Sequence, residues 1–310
     1  MRIGIGIGLS SQAPASVEGY LAQIEAAERD GFDIAWLSQI LGFDSLTLIA
    51  LAGPRTSKIE FLTGVVPIYP RHPFAMAQQA MTVSEATGSR LSLGIGMAHP
   101  ETVTQWWGMP YERPAKYMKE YLSVLLPLLK ERRVKFSGEF FRSEVALRLG
   151  QLKPPSVLLA ALAPRMLELA GSMADGTVLW VVGHRAIESH VVPRLAAAAK
   201  AAGRGSPRVC VALPICITDD EMLARRAADL QFARYGELVN YRRVLDIEGA
   251  RGPGDVAIAG DENRAERQIR ELANVGATDF LGSVYVPEGE PPDESARRTR
   301  AFLRSIVGRV

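Results

Sequence analysis

The 310-residue sequence predicts an α/β fold, a closed (β/α)8 TIM barrel with insertions. Apolar segments of strand length alternate with amphipathic helical segments along the whole chain, and eight such repeats at this length are typical of the barrel. The alternative is an open doubly wound sheet, in which a dinucleotide site would show Gly-x-Gly-x-x-Gly between the first strand and its helix. Gly4, Gly6 and Gly8 instead alternate within the first strand, which favours the barrel.

One βαβ unit near the middle of the first half is especially clear. Segments 59–66 and 91–97 are near-continuous apolar runs, as expected of strands buried on both faces of a parallel sheet. The segment between them has a helical apolar period and closes at Gly88. Because ligands bind at the carboxyl ends of strands in such folds, the loops after these two strands are candidate binding loops.

The other repeats follow the same pattern. Further strands are predicted at 3–9, 34–38, 157–161, 177–182, 209–217 and 278–286. Further helices are predicted at 17–30, 45–52, 115–132, 164–173, 186–202 and 262–275, with an interrupted helix after the seventh strand and a last helix from about Ser295. Residues 136–141 predict a small hairpin with Gly138 at its turn, and 249–260 a loop. We expect one domain, 1–310, in which 134–155 and 240–260 are inserted segments.

Bulk composition excludes several classes of partner. A net charge of +2 indicates no nucleic-acid or membrane partner, and no apolar run reaches membrane-spanning length. Cys210 and Cys216 lie too far apart along one predicted strand to bond to each other, so we expect reduced thiols. The chain opens directly into a strand without a signal peptide, which makes the cytoplasm the expected location.

Histidines are the most conspicuous candidate catalytic groups. Three of the four fall in predicted βα loops: His72, His99 and His184. A histidine can donate a proton near neutral pH, although a loop histidine can equally be a cap or a solvated group. His99 is the preferred candidate because it directly follows the strand that ends near Gly96. No metal-binding cluster, Walker loop or Ser/His/Asp pattern is present, which points to a bound organic cofactor.

A small-residue loop opens the predicted helix 164–173. Its free backbone N–H groups would form a phosphate site, with charge added by Arg165. The alternative is that Ala161 and Ala163 only permit close packing, and the sequence leaves the two open. Trp180, with Trp106 and Trp107, could form a wall for a planar ligand or could pack in the core.

Several motifs in order along the chain resemble one family. They are AAERDGFDIAWL at 26–37, the RHP of 71–73, RLSLGIG at 90–96, LAPRMLELAG at 162–171, ADGTVLW at 174–180 and GATDF at 276–280. Together they resemble the luciferase-like family of flavin- and deazaflavin-dependent oxidoreductases. LAPRMLELAG, ADGTVLW and the tract 241–260 are most similar to members that use coenzyme F420.

The resemblance implies a barrel whose mouth holds the tricyclic ring of F420, with FMN as the alternative cofactor. It implies a non-proline cis peptide at Gly64–Val65 behind the ring, and a phosphate-binding helix start. The cofactor-binding residues are then expected to be Gly64, Val65, Val66, Gly96, Met97, Ala161, Ala163, Pro164, Arg165 and Met166. Family likeness also implies a homodimer.

One departure from the family pattern concerns the chemistry. Better-known members carry an acid–histidine pair after the second strand, where this chain has Gln39 and Ile40. Glutamine forms hydrogen bonds but does not transfer protons. Without that pair, the expected pocket is apolar. An apolar pocket suits hydride delivery to an activated double bond of a small organic substrate, with the proton supplied by His99, His72 or water. The catalytic candidates are therefore His99, His72 and Gln39; the alternatives are an FMN-dependent monooxygenase and a non-catalytic cofactor-binding protein.

Overall fold

Eight parallel strands close into a barrel in the computed structural model, which describes residues 1–8 and 14–310. The strands in chain order are β1 Arg2–Ile7, β2 Ile34–Leu37, β3 Glu60–Thr63, β4 Val66–Pro67, β5 Leu91–Gly96, β6 Arg133–Ser137, β7 Arg142–Ala146, β8 Ser156–Ala160, β9 Gly176–Trp180, β10 Arg208–Ile217, β11 Ile258–Gly260 and β12 Asp279–Val284. The barrel runs β1-β2-β3-β5-β8-β9-β10-β12, and β12 pairs with β1 to close it. The predicted TIM barrel is confirmed.

Helices cover the outside of the barrel. They are α1 Val17–Arg29, α2 Ser45–Ala52, α3 Pro73–Ala86, α4 Pro114–Glu131, α5 Pro164–Ser172, α6 His184–Ala186, α7 Val192–Ala201, α8 Glu221–Gln231, α9 Ala233–Glu237, α10 Val239–Glu248, α11 Pro253–Val256, α12 Glu262–Asn274 and α13 Pro292–Ser305. A π-helical stretch, Ile187–Val191, joins α6 to α7, so the predicted helix 186–202 is divided. The predicted helix 45–52 has the observed bounds of α2. Residue 9 of the first predicted strand lies outside the described residues.

Alternation along β1 explains its three glycines. Ile3 and Ile5 pack outward beneath the helices, whereas the intervening positions face the barrel interior. A Cβ on Gly4 would lie 2.7 Å from Leu281 Cδ2 and 2.9 Å from Ile34 Cβ, so no larger residue fits there. The glycines therefore belong to a densely packed barrel and not to a dinucleotide loop.

Charged side chains close the amino-terminal end of the barrel. Arg2, Glu60, Arg208 and Asp279 are the first residues of four strands, and each arginine pairs with both carboxylates. Asp279 is 0% exposed. Burial alone would raise the pKa of Asp279, but Arg208, Thr278 and Arg2 outweigh it and hold the pKa below its usual value. This end serves stability and leaves ligand binding to the opposite end.

The predicted hairpin is present as β6 and β7, paired antiparallel. Its turn is fixed by Glu120 of α4, a buried carboxylate that accepts the backbone N–H groups of Glu139, Phe140 and Phe141 at 3.2, 2.7 and 3.3 Å. A Cβ on Gly138 would lie 2.3 Å from the Glu120 carboxylate, which explains the glycine in the turn.

Two sequence predictions are wrong. The run 59–66 is not one strand: β3 ends at Thr63, and the chain re-enters the sheet as β4 beside β5. The segment 249–260 is not a plain loop, because it contains α11 and the short strand β11 paired with β10. Three-residue strands carry too little periodicity to be recognised from sequence.

Cys210 and Cys216 are both free and buried, as predicted. In the described part of the chain, no helix is both long enough and apolar enough to cross a membrane.

Candidate active site at the barrel mouth

The carboxyl end of β3 supplies one wall of the barrel mouth. The Gly64–Val65 peptide bond is cis, as the resemblance implied, and both residues are half-buried. The Val65 side chain lies over β5: a Cβ on Gly96 would lie 2.7 Å from Val65 Cγ2, and one on Gly94 3.2 Å from Val65 Cγ1. The two glycines thus leave the space that Val65 occupies.

Trp36 of β2 forms the floor beside this wall. A Cβ on Gly64 would lie 2.7 Å from the Trp36 ring, and the Trp180 ring centroid is 6.2 Å from that of Trp36. Trp36 is 3% exposed, and its indole N–H has no hydrogen-bond partner among the described residues. The Trp180 indole N–H likewise has no partner there, so this part of the site is apolar and aromatic with two unpaired donors.

The loop after β8 leads into the start of α5. Ala163 is the N-cap residue, with extended backbone (φ −77°, ψ 146°) and no side-chain cap, and Pro164 is the first helical residue. The first N–H groups of a helix lack partners within the helix. Arg165 is exposed and forms no ion pair with any described residue, while Met166 packs inward. The start of α5 has the chemistry of an anion site.

Gln39 is committed to a structural contact. Its Oε1 accepts from the backbone N–H of Ser45 at 2.7 Å and from the Ser45 hydroxyl at 2.9 Å, at the start of α2. The neighbouring Ile40 is 63% exposed. With its carbonyl oxygen in use, Gln39 offers only its amide N–H groups to a ligand.

His72 is the N-cap residue of α3. Its Nδ1 accepts the Phe74 N–H at 3.2 Å, and its ring meets the Phe141 ring edge-on at 5.6 Å. Burial lowers its pKa. His184 lies 3.5 Å from the Glu248 carboxylate at the start of α6.

His99 lies after β5 and is half-buried. Its ring centroid is 6.4 Å from that of Tyr235 and 6.1 Å from that of Tyr241. Burial lowers the pKa of His99; the positive charge of Arg234 adds to that effect, and Glu101 opposes it. The imidazole is therefore predominantly neutral at pH 7.

His99 belongs to a continuous group of rings, of which sequence reasoning named His99 and Trp180 and missed Phe232, Tyr235 and Tyr241. We call this group the aromatic wall: Trp180 from the end of β9, Phe232, Tyr235 and Tyr241 from the α8–α10 region, and His99. Trp180 contacts Phe232 and Tyr235 at 5.5 and 5.8 Å, and Tyr235 contacts Tyr241 at 4.9 Å. All five are half-buried. The only sequence signal was the high aromatic content of segment 232–241, whose pattern is otherwise typical of an exposed helix.

The structure brings some predicted site residues together and separates others. Val65 lies against Gly96, and Gly64 lies against Trp36. No ring contact or hydrogen bond in the described residues joins His72 or Gln39 to His99. Residues 1–8 and 14–310 contain no group of three or more His, Cys, Asp or Glu side chains that could hold a metal ion.

The closed parallel barrel, with an apolar mouth at the carboxyl ends of its strands and an uncapped helix start beside it, is the architecture of a cofactor-using barrel enzyme. The family model described as luciferase-like monooxygenase matches residues 2–308. The chain belongs to the luciferase-like monooxygenase family, and it is an oxidoreductase of that family.

Three known proteins illustrate the relationship. The F420-dependent hydroxymycolic acid dehydrogenase of Mycobacterium tuberculosis (strain ATCC 25618 / H37Rv) is 32% identical, over 93% of this chain and 84% of its own length. The coenzyme F420-dependent tetrahydromethanopterin reductase of Methanopyrus kandleri matches at a TM-score of 0.73 with 22% identity, covering 96% of this chain and 97% of its own. The FMN-bound oxygenating constituent of 3,6-diketocamphane monooxygenase, from the CAM plasmid of Pseudomonas putida, matches at a TM-score of 0.75 with 16% identity. This match covers 99% of this chain and 97% of the other. The two structural likenesses concern the fold.

Proposed function

We propose that this protein is an F420-dependent oxidoreductase that transfers a hydride between the deazaflavin and a small organic substrate. The observation that carries the proposal is a pairing at one barrel mouth: the Val65 wall over the β5 glycines, and the uncapped start of α5 with its free Arg165. The Val65 wall suits one face of a flat ring, and the start of α5 with Arg165 suits a phosphate. The 32% identical relative, named as F420-dependent, supports the choice of cofactor.

The expected cofactor-binding residues fit such a group. Gly64, Val65 and Gly96 would lie behind the ring, with Val66 and Met97 buried beneath them. The remaining residues surround the start of α5 and would hold the phosphate: Ala161, Ala163, Pro164, Arg165 and Met166. When bound, a deazaflavin supplies or accepts the hydride.

The proton chemistry depends on the residues of this chain. With Gln39 and Ile40 at the end of β2, no carboxylate–histidine pair is available there to deprotonate an alcohol. Reduction of an activated carbon–carbon double bond needs one hydride at one carbon and one proton at the other, while the reduced cofactor becomes oxidised. We assign the proton to His99, directly or through water, because His72 caps α3. Since the pKa of His99 lies below 6.5, the rate of such a reduction should rise as the pH falls toward that pKa.

The experiment is a titration of the purified protein with F420 and, separately, with FMN. We expect F420 to bind and Arg165→Ala to weaken its binding by about tenfold, in keeping with the loss of one charge-assisted contact. Arg133→Ala, which removes an exposed arginine of the distant hairpin, is the matched control. Tight FMN binding with oxygen uptake would favour the monooxygenase alternative, for which the FMN-bound structural relative is the specific support.

A second assay separates an enzyme from a cofactor-binding protein. Reduced F420 is mixed with a panel of conjugated enones and, in the opposite direction, F420 with alcohols. F420 binding without hydride transfer to any compound would support the non-catalytic alternative. We further propose a homodimer in the cytoplasm with a small molecule as its only partner besides the cofactor; light scattering of the purified protein tests the oligomeric state.

A further inference from the structure

We propose that the aromatic wall, with Trp36 as its floor, is the substrate half of the site and accepts a flat, uncharged molecule that carries a neutral hydrogen-bond acceptor. This inference rests on the proposed function, because it places the substrate beside the cofactor ring.

The first observation is the continuity of the rings. Contacts run from Trp36 to Trp180 at 6.2 Å, from Trp180 to Tyr235 at 5.8 Å, and from Tyr235 to Tyr241 at 4.9 Å. His99 closes the series on the β5 side, beside the residues expected to hold the cofactor. Every ring of the wall is half-buried, so each keeps part of its surface exposed. Ring faces and edges of this kind favour flat apolar or aromatic partners.

The second observation is the distribution of charge. Among the described residues, two charged groups act on His99, Arg234 and Glu101, and they lie 4.0 Å from each other with about half of each side chain exposed. Gly6 and Gly8 of the first strand and Gln39 of the second contribute no charge to the mouth. Arg165, the unpaired cation beside this mouth, is assigned to the cofactor phosphate, so a charged substrate would lose its hydration without gaining an opposite charge, which disfavours its binding.

The third observation is the unpaired Trp36 indole N–H. Buried donors are nearly always satisfied, and this one has no partner in the described part of the chain. A ligand with a carbonyl oxygen, reaching the floor directly or through one water molecule, would satisfy it. The substrate class that fits all three observations is a planar ketone, aldehyde or conjugated enone.

The wall is held in place by a carboxylate whose side chain is 10% exposed. Glu248, at the end of α10, accepts the Ala186 N–H at 2.8 Å, and its other oxygen lies 3.5 Å from His184. This contact ties α10, the helix that carries Tyr241, to the start of α6 before any ligand binds. A wall that is already formed loses little entropy on binding.

The test uses two probes with one ring system. 2-Acetylnaphthalene is planar and neutral with a carbonyl group, and 2-naphthoate is planar and negatively charged. Calorimetric titrations are run on the protein saturated with F420 and on the protein alone. We expect acetylnaphthalene to bind at least about tenfold more tightly than naphthoate, and to bind together with F420.

Three variants locate the binding. Trp180→Ala and Tyr235→Leu should each weaken acetylnaphthalene binding by roughly 2–10-fold and leave F420 affinity unchanged. Tyr235 lies outside the barrel, so its variant still tests the wall if Trp180→Ala fails to fold. Trp106→Ala is the matched control, because Trp106 is 49% exposed and has no described ring contact with the wall. It should bind both probes as the unaltered protein does.

Two outcomes overturn the inference. Equal binding of the two probes would remove the charge argument, and displacement of acetylnaphthalene by F420 would assign the wall to the cofactor. If F420 itself does not bind, the proposed function fails. The inference is then decided on the protein without F420, by the preference for acetylnaphthalene over naphthoate and by the weaker acetylnaphthalene binding of Trp180→Ala.

Discussion

Gly96→Ala tests whether the β5 glycines create the space behind the cofactor ring. The new Cβ would lie 2.7 Å from Val65 Cγ2 and 3.2 Å from Ala160 Cβ, where ordinary contact begins at 3.4 Å. Either Val65 moves into the mouth or β5 and β8 separate. Overpacking of this kind costs about 1–3 kcal/mol. If this whole free-energy cost were taken from cofactor binding, F420 affinity would fall by roughly 5–150-fold.

The assay measures two quantities on the same variant. The F420 dissociation constant comes from fluorescence titration, and the free energy of unfolding comes from urea denaturation. We expect both to change for Gly96→Ala. Gly150→Ala is the matched control, because nothing lies within 4 Å of the new methyl group.

A comparison with Gly94→Ala separates packing of the barrel from packing of the site. There the Cβ would lie 1.9 Å from the Thr63 carbonyl oxygen, which is backbone and has little freedom to move. That variant should lose more folding stability than Gly96→Ala. If Gly96→Ala bound F420 with normal affinity and unfolded at the normal urea concentration, the position assigned to Val65 would be refuted.

Three further results are expected. Glu120→Gln should lower the free energy of unfolding by about 1–3 kcal/mol in urea denaturation, because an amide cannot accept all the N–H groups of turn 139–141; unchanged stability would contradict this role. Glu248→Gln keeps an oxygen for the Ala186 N–H, so it should weaken acetylnaphthalene binding less than Glu248→Ala does. Equal losses of acetylnaphthalene affinity in the two variants, measured by calorimetry, would argue against a role of Glu248 in holding the aromatic wall. The pKa of His99 is lowered in the folded protein, so the stability that the residue contributes above pH 6.5 is lost as the pH falls toward its folded pKa. The free energy of unfolding, measured by denaturation between about pH 7 and 5, should therefore depend less on pH in His99→Gln. Equal pH slopes in the two proteins would contradict the lowered pKa.

The barrel was predictable from sequence because each repeat carries its own periodicity and its own stop signal. Helix 45–52, for example, begins after Asp44, whose carboxylate accepts the Thr47 N–H at 2.8 Å. The break in strand 59–66 was not predictable from the residues themselves, because Gly-Val-Val-Pro is equally apolar whether the chain continues or turns. Only the resemblance to a family indicated the unusual peptide at Gly64.

Predictions about the site were weaker because they depend on tertiary contacts. A histidine before a proline can cap a helix or enter a pocket, and only the structure shows that His72 Nδ1 accepts the Phe74 N–H. Tyr235 and Tyr241 lie in a segment with an ordinary polar pattern, so nothing local indicates that they face His99. The ligand roles of Gly96, Arg165 and the other cofactor-binding candidates remain predictions.

The charged network at the amino-terminal end has a kinetic consequence. Because Arg2, Arg208, Glu60 and Asp279 fill that end, both ligands of the proposed reaction enter and leave through the barrel mouth. A ligand that covers the other at this mouth must leave before the covered ligand can depart. Steady-state rates measured against both ligands therefore distinguish ordered from random addition, and product inhibition patterns would identify which ligand lies beneath the other.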